Sequence, residues 1–249
     1  MMKSMTFALA ASATLAAACS SAPANEAQAR EPAQAAKASP SASASQPVVV
    51  ELFQSQGCSS CPPANRNVNA IAGDPGVLAL NFSVTYWDRL GWKDTFGKQA
   101  FTDRQWEYAH AGGRAKVYTP QVIINGRTAI VGSNPQQLAS EIRKAGGLKG
   151  PAIKAVNGKV SIAAGKTAKP ATVWLVRYDP RELDVPIKAG ENGGKTLPHK
   201  NIVRDLSKIG QWTGSAASFS VPVSSNSAYR SAILVQSADG GPMISARKL

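Results

Sequence analysis

Cys58 and Cys61 stand three positions apart in Cys58-Ser59-Ser60-Cys61-Pro62-Pro63, after a β-branched run at 48–53 and the turn-like residues Gln54 to Gly57. The thiolate is the reactive form of cysteine, and the free backbone N–H groups and dipole at the start of a helix stabilise it. A strand, a tight loop, C-x-x-C and a helix therefore make an activated dithiol. The expected roles are Cys58 as an exposed attacking thiolate and Cys61, one helical turn further, as a shielded resolving thiol. Attack on a substrate disulfide leaves a mixed disulfide on Cys58, which Cys61 then releases. Other readings use the same residues. A structural disulfide is weak here, because closing a four-residue loop contributes only about 2 kcal/mol in the loop-entropy model. A zinc half-site lacks a second C-x-x-C or a His pair, and two unrelated thiols in an exported chain are normally oxidised to a disulfide. Two soft sulfur ligands also suit Cu(I).

The elements that must position this pair are legible around it. Residues 48–53 read as a buried strand, 61–72 as a helix with prolines in its first turn, 77–84 as a second strand and 98–111 as a helix. Thr119-Pro120 precedes two short apolar runs, 121–124 and 129–131, separated by Asn125-Gly126, a strong hairpin signal. Residues 135–145 then form a closing helix stopped by Gly146-Gly147. In the thioredoxin fold a cis-proline opens the third core strand beside the C-x-x-C, and its backbone neighbours pair with the substrate chain. Pro120, with Thr119 before it, sits where that arrangement requires. Glu51, seven residues before Cys58, suits a buried carboxylate passing protons to Cys61, or equally a carboxylate at a strand end. Trp87, Trp92 and Trp106 suit an aromatic wall over the dithiol, or plain core packing. Thr119, Trp87 and Trp92 are thus the candidate substrate-binding residues. Asp88 and Asp94 orient this insertion or face water, and Glu191, Asn192 and Lys195 line a cleft or a solvated loop. His110 and His199 are isolated, and no metal site is expected.

Beyond residue 150 the texture changes to short alternating strands. They are clearest at 172–178, where Val173 and Leu175 face opposite to Trp174, Val176 and Tyr178. Residues 218–223 and 232–236 are similar, 179–200 is a long polar connection, and 201–209 suggests a short helix. The expectation is a β-rich, sandwich-like domain at 150–249 after a first domain at 47–149.

Composition limits what the dithiol can belong to. The chain has 249 residues, three cysteines and a net charge of +13. Two histidines and three cysteines cannot build two structural zinc sites. The basic residues are dispersed, with no run of five or six, which argues against nucleic acid as a partner. Residues 1–18 read as a secretory signal: Lys3, then an uncharged stretch ending Ala16-Ala17-Ala18. Cys19 directly after it resembles a bacterial lipobox cysteine, to be lipidated; an alternative cut at Ala27-Gln28-Ala29 releases a soluble protein. From 20 to 46, 19 of 27 residues are Ala, Ser or Pro, so 19–46 reads as a disordered tether. Ser20 after the cysteine favours the periplasmic face of a Gram-negative outer membrane. Residues 47–249 hold 25 of the 28 basic and 13 of the 15 acidic residues.

Several separated motifs resemble one family. They are Val50-Glu51-Leu52-Phe53-Gln54-Ser55-Gln56-Gly57-Cys58-Ser59-Ser60-Cys61-Pro62-Pro63, Tyr86-Trp87-Asp88-Arg89-Leu90-Gly91-Trp92-Lys93-Asp94, Tyr118-Thr119-Pro120-Gln121, Trp174-Leu175-Val176-Arg177-Tyr178-Asp179-Pro180 and Gly190-Glu191-Asn192-Gly193-Gly194-Lys195. Together they look like the secreted thioredoxin-like family catalogued as domain of unknown function 1223. Ser83 and Thr85 depart from it, standing where His and Asp are usual. The resemblance implies export and an α/β, thioredoxin-like fold, with no established substrate. The combined expectation is an envelope thiol–disulfide oxidoreductase without a bound cofactor, acting on protein thiols or disulfides. The rivals are a binding or scaffold protein keeping the same fold, and a copper-handling protein.

Overall fold

Every residue of β1 (Val48–Gln54) is buried in the computed structural model, which describes residues 46–249. A strand buried on both faces needs a layer above and a layer below it. The first layer comes from α1 (Cys61–Ile71), which carries the chain over to β2 (Val77–Ser83), parallel to β1 from Val48↔Val77 to Gln54↔Ser83. A parallel neighbour needs such a crossover. The opposite layer is α2 (Gln99–Ala111). The hairpin of β3 (Gln121–Ile124) and β4 (Thr128–Ile130) pairs antiparallel on the other edge of β1, and α3 (Pro135–Ala145) returns beside α1. Asn134 caps α3, its side chain accepting the Gln137 N–H at 2.9 Å. Strand parity divides the core. Val48, Val50 and Leu52 pack with Ala64, Val68 and Leu138, whereas Val49 and Phe53 pack with Phe101 and Tyr108 of α2.

The second half adds β5 (Ile153–Val156), β6 (Lys159–Ile162), β7 (Ala171–Asp179), β8 (Leu183–Pro186), β9 (Thr196–His199), β10 (Ile202–Trp212), β11 (Ala217–Ser220), β12 (Arg230–Gln236) and β13 (Met243–Lys248). One eight-stranded sheet runs β13-β12-β7-β10-β2-β1-β3-β4. The expected boundary between 47–149 and a sandwich-like domain at 150–249 is therefore corrected: the later strands extend the first sheet. The reason lies at the outer edge of β2. There β10 joins at Ile202↔Asn81, the Asn81 N–H bonds Asn201 O at 3.0 Å, and Asn201 Nδ2 bonds Ala79 O at 2.9 Å. An edge that would otherwise leave its backbone groups unpaired is covered. Both halves also share one core, in which Phe101 and Tyr108 lie with Val176, Tyr178, Ala232 and Leu234. As expected, Val173 and Leu175 face the other way, into a separate cluster with Val160, Ile162 and Trp212 under the small sheet β11-β6-β5.

The expected helix at 201–209 is a strand. Bulges between Val203 and Asp205 and between Lys208 and Gly210 each shift the side-chain parity of β10. Apolar residues then recur at Val203, Leu206, Ile209 and Trp212, a spacing of three that imitates a helix. The connection at 179–200 holds the β8–β9 hairpin. The expected signal at 1–18, Cys19 and the tether up to residue 45 lie outside the described residues. Gln46 belongs to the fold rather than the tether: its side chain donates to Gly150 O at 2.9 Å and accepts the Ala246 N–H at 2.9 Å.

Candidate functional site

β1 ends at Gln54 and α1 starts at Cys61, leaving six residues to turn the chain beyond the end of β1. Cys58 and Cys61 are joined as a disulfide within this turn. The Cys58 N–H bonds Ser55 O and the Cys61 N–H bonds Cys58 O, at 3.1 and 3.2 Å. Three other segments grip the turn. From the insertion after β2, Asp94 Oδ2 accepts the Gln56 N–H at 2.8 Å, and Trp92 Nε1 donates to Gln56 Oε1 at 2.9 Å. From the strap between β8 and β9, residues 187–195, Asn192 Nδ2 donates to both Gln56 O and Cys58 O at 2.9 Å. Its neighbour Glu191 accepts the Ser59 N–H at 3.0 Å. From the entry to β3, Thr119 O lies 3.5 Å from Ser60 Oγ, and the Thr119–Pro120 bond is cis. Trp87 Nε1 donates to Thr119 Oγ1 at 2.7 Å.

The structure thus brings together Cys58, Cys61, Thr119, Pro120, Trp87 and Trp92. Trp106 instead pairs with His110 of its own helix, ring centroids 5.5 Å apart. Two expectations are corrected. Cys58 has no exposed surface and Cys61 only 1%, while Ser59 and Ser60 are exposed. Cys58 is therefore not the exposed thiol of the pair, because the insertion and the strap close around its turn. Glu51 is also misplaced for proton transfer to Cys61. By strand parity its side chain leaves the sheet on the α2 face, whereas Cys61 lies on α1 across the sheet. There Arg104 Nε donates to Glu51 Oε1 at 2.7 Å and the Tyr108 hydroxyl bonds Oε2.

Residues that sequence reasoning missed support the site from behind. Gln105 Nε2 donates to Tyr118 O and Gln121 Oε1, both at 2.8 Å, fixing the chain on either side of Thr119 and Pro120. Its signal was available: Gln105 falls on the buried face of α2 marked by Phe101 and Tyr108. Gln56 was also missed, although it organises the turn.

Asp94, bonded to the turn, and His199 in β9 are buried titratable groups with shifted pKa values. Burial pushes the Asp94 carboxyl up to about 6 from an ordinary 3.8, against the opposing N–H bonds from Gln56 and Phe96 and the Ser83 hydroxyl. Burial lowers His199 from 6.5 to about 4, its Nδ1 lying 3.0 Å from Leu197 O. The two act on stability with opposite signs. Asp94 contributes stability that is full below pH 3.8 and lost as pH rises through about 6. His199 contributes stability that is full above pH 6.5 and lost as pH falls through about 4. Each amounts to about 3 kcal/mol, so between pH 4 and 6.5 the two largely cancel. Urea unfolding across that window is expected to show Asp94→Asn losing stability on acidification relative to wild type. His199→Asn gains it. Parallel profiles for all three proteins would refute this assignment.

Among the described residues no group of three or more His, Cys, Asp or Glu side chains is placed to hold a metal, and no helix is long and apolar enough to cross a membrane. The family model described as Protein of unknown function (DUF1223) matches residues 49–236. Among solved structures the chain is similar to protein AGR_C_4864 from Agrobacterium tumefaciens at 32% identity and a TM-score of 0.68, over 81% of this chain and 93% of that one. It is also similar to HBP35 of Porphyromonas gingivalis at 12% identity and a TM-score of 0.56, over 82% of this chain and 75% of that one, a likeness of fold alone. No curated protein matches the chain.

Proposed function

We propose that this chain, which belongs to the DUF1223 family, is a thiol–disulfide oxidoreductase with a thioredoxin-like fold, working through Cys58 and Cys61. Its partners are protein thiols or disulfides of the cell envelope, and it needs no bound organic cofactor. The chain is exported and held by a lipid on Cys19 at the periplasmic face of the outer membrane. The observation that carries the reading is a disulfide-linked C-x-x-C between β1 and α1, with Thr119 at the entry to β3 alongside it. In the reducing direction the Cys58 thiolate attacks a substrate disulfide, forming a mixed disulfide and expelling one substrate sulfur as a thiolate. Cys61, deprotonated, then attacks Cys58 Sγ and expels the second substrate sulfur. Two electrons and two protons pass to the substrate, and Cys58–Cys61 is re-formed. Oxidation is the same path reversed.

Burial of both cysteines favours a second reading, a binding or scaffold protein with an inert disulfide. An equilibrium titration of the full chain against glutathione, read at Cys58 and Cys61, separates the two. The oxidoreductase reading expects a potential between about −120 and −270 mV, the range of exchange catalysts. A value well below about −300 mV, or thiols that never equilibrate, would replace it with the scaffold.

A further inference from the structure

The backbone N–H donors that usually stabilise a thiolate at the start of a helix are depleted here, although the neutral Ser60 hydroxyl lies 3.3 Å from Cys58 Sγ. Pro62 and Pro63 occupy the first turn of α1 and carry no N–H. The Cys61 N–H is spent on Cys58 O. Of the N–H groups in the turn itself, that of Gln56 is bonded to the Asp94 carboxylate and that of Ser59 to the Glu191 carboxylate. Both side-chain charges bonded to the turn are thus negative. Of the strap's two cations, Lys188 and Lys195, the second is one amide further out: its Nζ donates to Asn192 Oδ1 at 3.0 Å, at the opposite end of the amide whose Nδ2 holds Cys58 O. Ser59 and Ser60 add no charge of their own.

We propose that Glu191 is a positioning residue that biases Cys58–Cys61 toward the disulfide, making the reduced pair an electron donor to substrate disulfides. The proposal rests on the oxidoreductase reading above and gives it a direction. Reduction of the disulfide takes up two electrons, with two protons if both sulfurs end as thiols or one if Cys58 stays a thiolate. A carboxylate one peptide unit from Cys58 disfavours the thiolate product by like-charge repulsion, and it occupies a donor that product would use. The reduced state therefore loses its ionised form, and the equilibrium moves toward the disulfide. The hydrogen bonds from Ser59 hold the Glu191 carboxyl below the usual glutamate range, so its charge persists at neutral pH.

Glu191→Gln tests this, since the amide can still accept from Ser59 N–H while the charge is gone. The full chain is equilibrated with glutathione at pH 8, where thiolates are populated, and Cys58 and Cys61 are quantified by alkylation and mass mapping so that Cys19 does not enter. The equilibrium constant for oxidation by glutathione disulfide is expected to fall about threefold to tenfold, tenfold being about 30 mV. The Cys58 thiol pKa, read from alkylation rate against pH, falls with it. Because Glu191 is exposed, the difference between the proteins shrinks in 1 M salt. Glu182→Gln, the same change at the opposite end of the β8–β9 hairpin, leaves both quantities at wild-type values. An unchanged or increased constant in Glu191→Gln, with both proteins equilibrating normally, overturns the proposal and leaves the oxidoreductase reading standing. Thiols that fail to equilibrate in either protein overturn both.

Discussion

Cys61→Ser is expected to turn the protein into a trap: incubated with a disulfide-bonded peptide, it accumulates a mixed disulfide on Cys58 that no second thiol can resolve. Cys58→Ser accumulates none, and its rate of disulfide exchange falls to the uncatalysed background. The asymmetry follows from position. Cys58 lies in the turn between two exposed serines and the Trp87 insertion, whereas Cys61 is the first, buried residue of α1. Losing the four-residue disulfide loop costs only about 2 kcal/mol, so both variants remain folded and the comparison is chemical. Because Cys58 is fully buried in the oxidised protein, the insertion or the strap must give way during exchange. Mass mapping of the adducts checks the result. Adducts on Cys61 in the Cys58→Ser protein would reverse the assigned roles, and adducts on neither variant would leave the disulfide structural.

The first half of the fold was legible because each element there obeys one rule at a time. Residues 48–53 are β-branched and continuous, Asn125-Gly126 marks a turn that both residues enter with positive φ, and Pro135 and Gly146 bracket α3. The second half was misread where two rules compete. The bulges of β10 impose a helical spacing on a strand, and nothing in residues 171–179 states that their pairing partner β10 will attach to β2, since sheet order is a long-range property. The site divides along the same line. Cys58, Cys61 and Pro120 announce themselves by residue type and local spacing. Glu191 and Asn192 stood out only as lining a cleft or a solvated loop, and residue type does not decide between the two, because they reach the turn from more than 130 positions away through side chains that are ordinary for a polar loop.

Glu51 shows what strand parity decides, and its environment sets the largest expected effect on stability. Its carboxylate is fully buried with Arg104, which also donates to Gln236 Oε1 at 3.1 Å and to the Tyr108 hydroxyl at 3.0 Å, while Trp174 Nε1 donates to the same Gln236 oxygen at 3.0 Å. Burial works to lower the Arg104 pKa, and the Glu51 charge outweighs it, holding the guanidinium above its ordinary range. The cluster ties β1 and α2 to β7 and β12, so it fastens the two halves of the sheet through one set of polar bonds. Removing one charge strands the other in a medium that cannot solvate it. Arg104→Met is therefore expected to cost about 3–5 kcal/mol, read as a lower urea midpoint. Glu51→Leu combined with Arg104→Met recovers much of that loss, because replacing both members of a buried pair with apolar groups is often close to neutral. A loss below about 1 kcal/mol for Arg104→Met would mean that water reaches the pair and that the fastening lies elsewhere. Glu51→Gln separates structure from chemistry at the same position. It lowers stability, yet the exchange rate per folded molecule stays at the wild-type value, because the carboxylate faces α2 and the dithiol lies on the other side of the sheet. A slower rate in the fully folded variant would restore Glu51 to the proton path of Cys61.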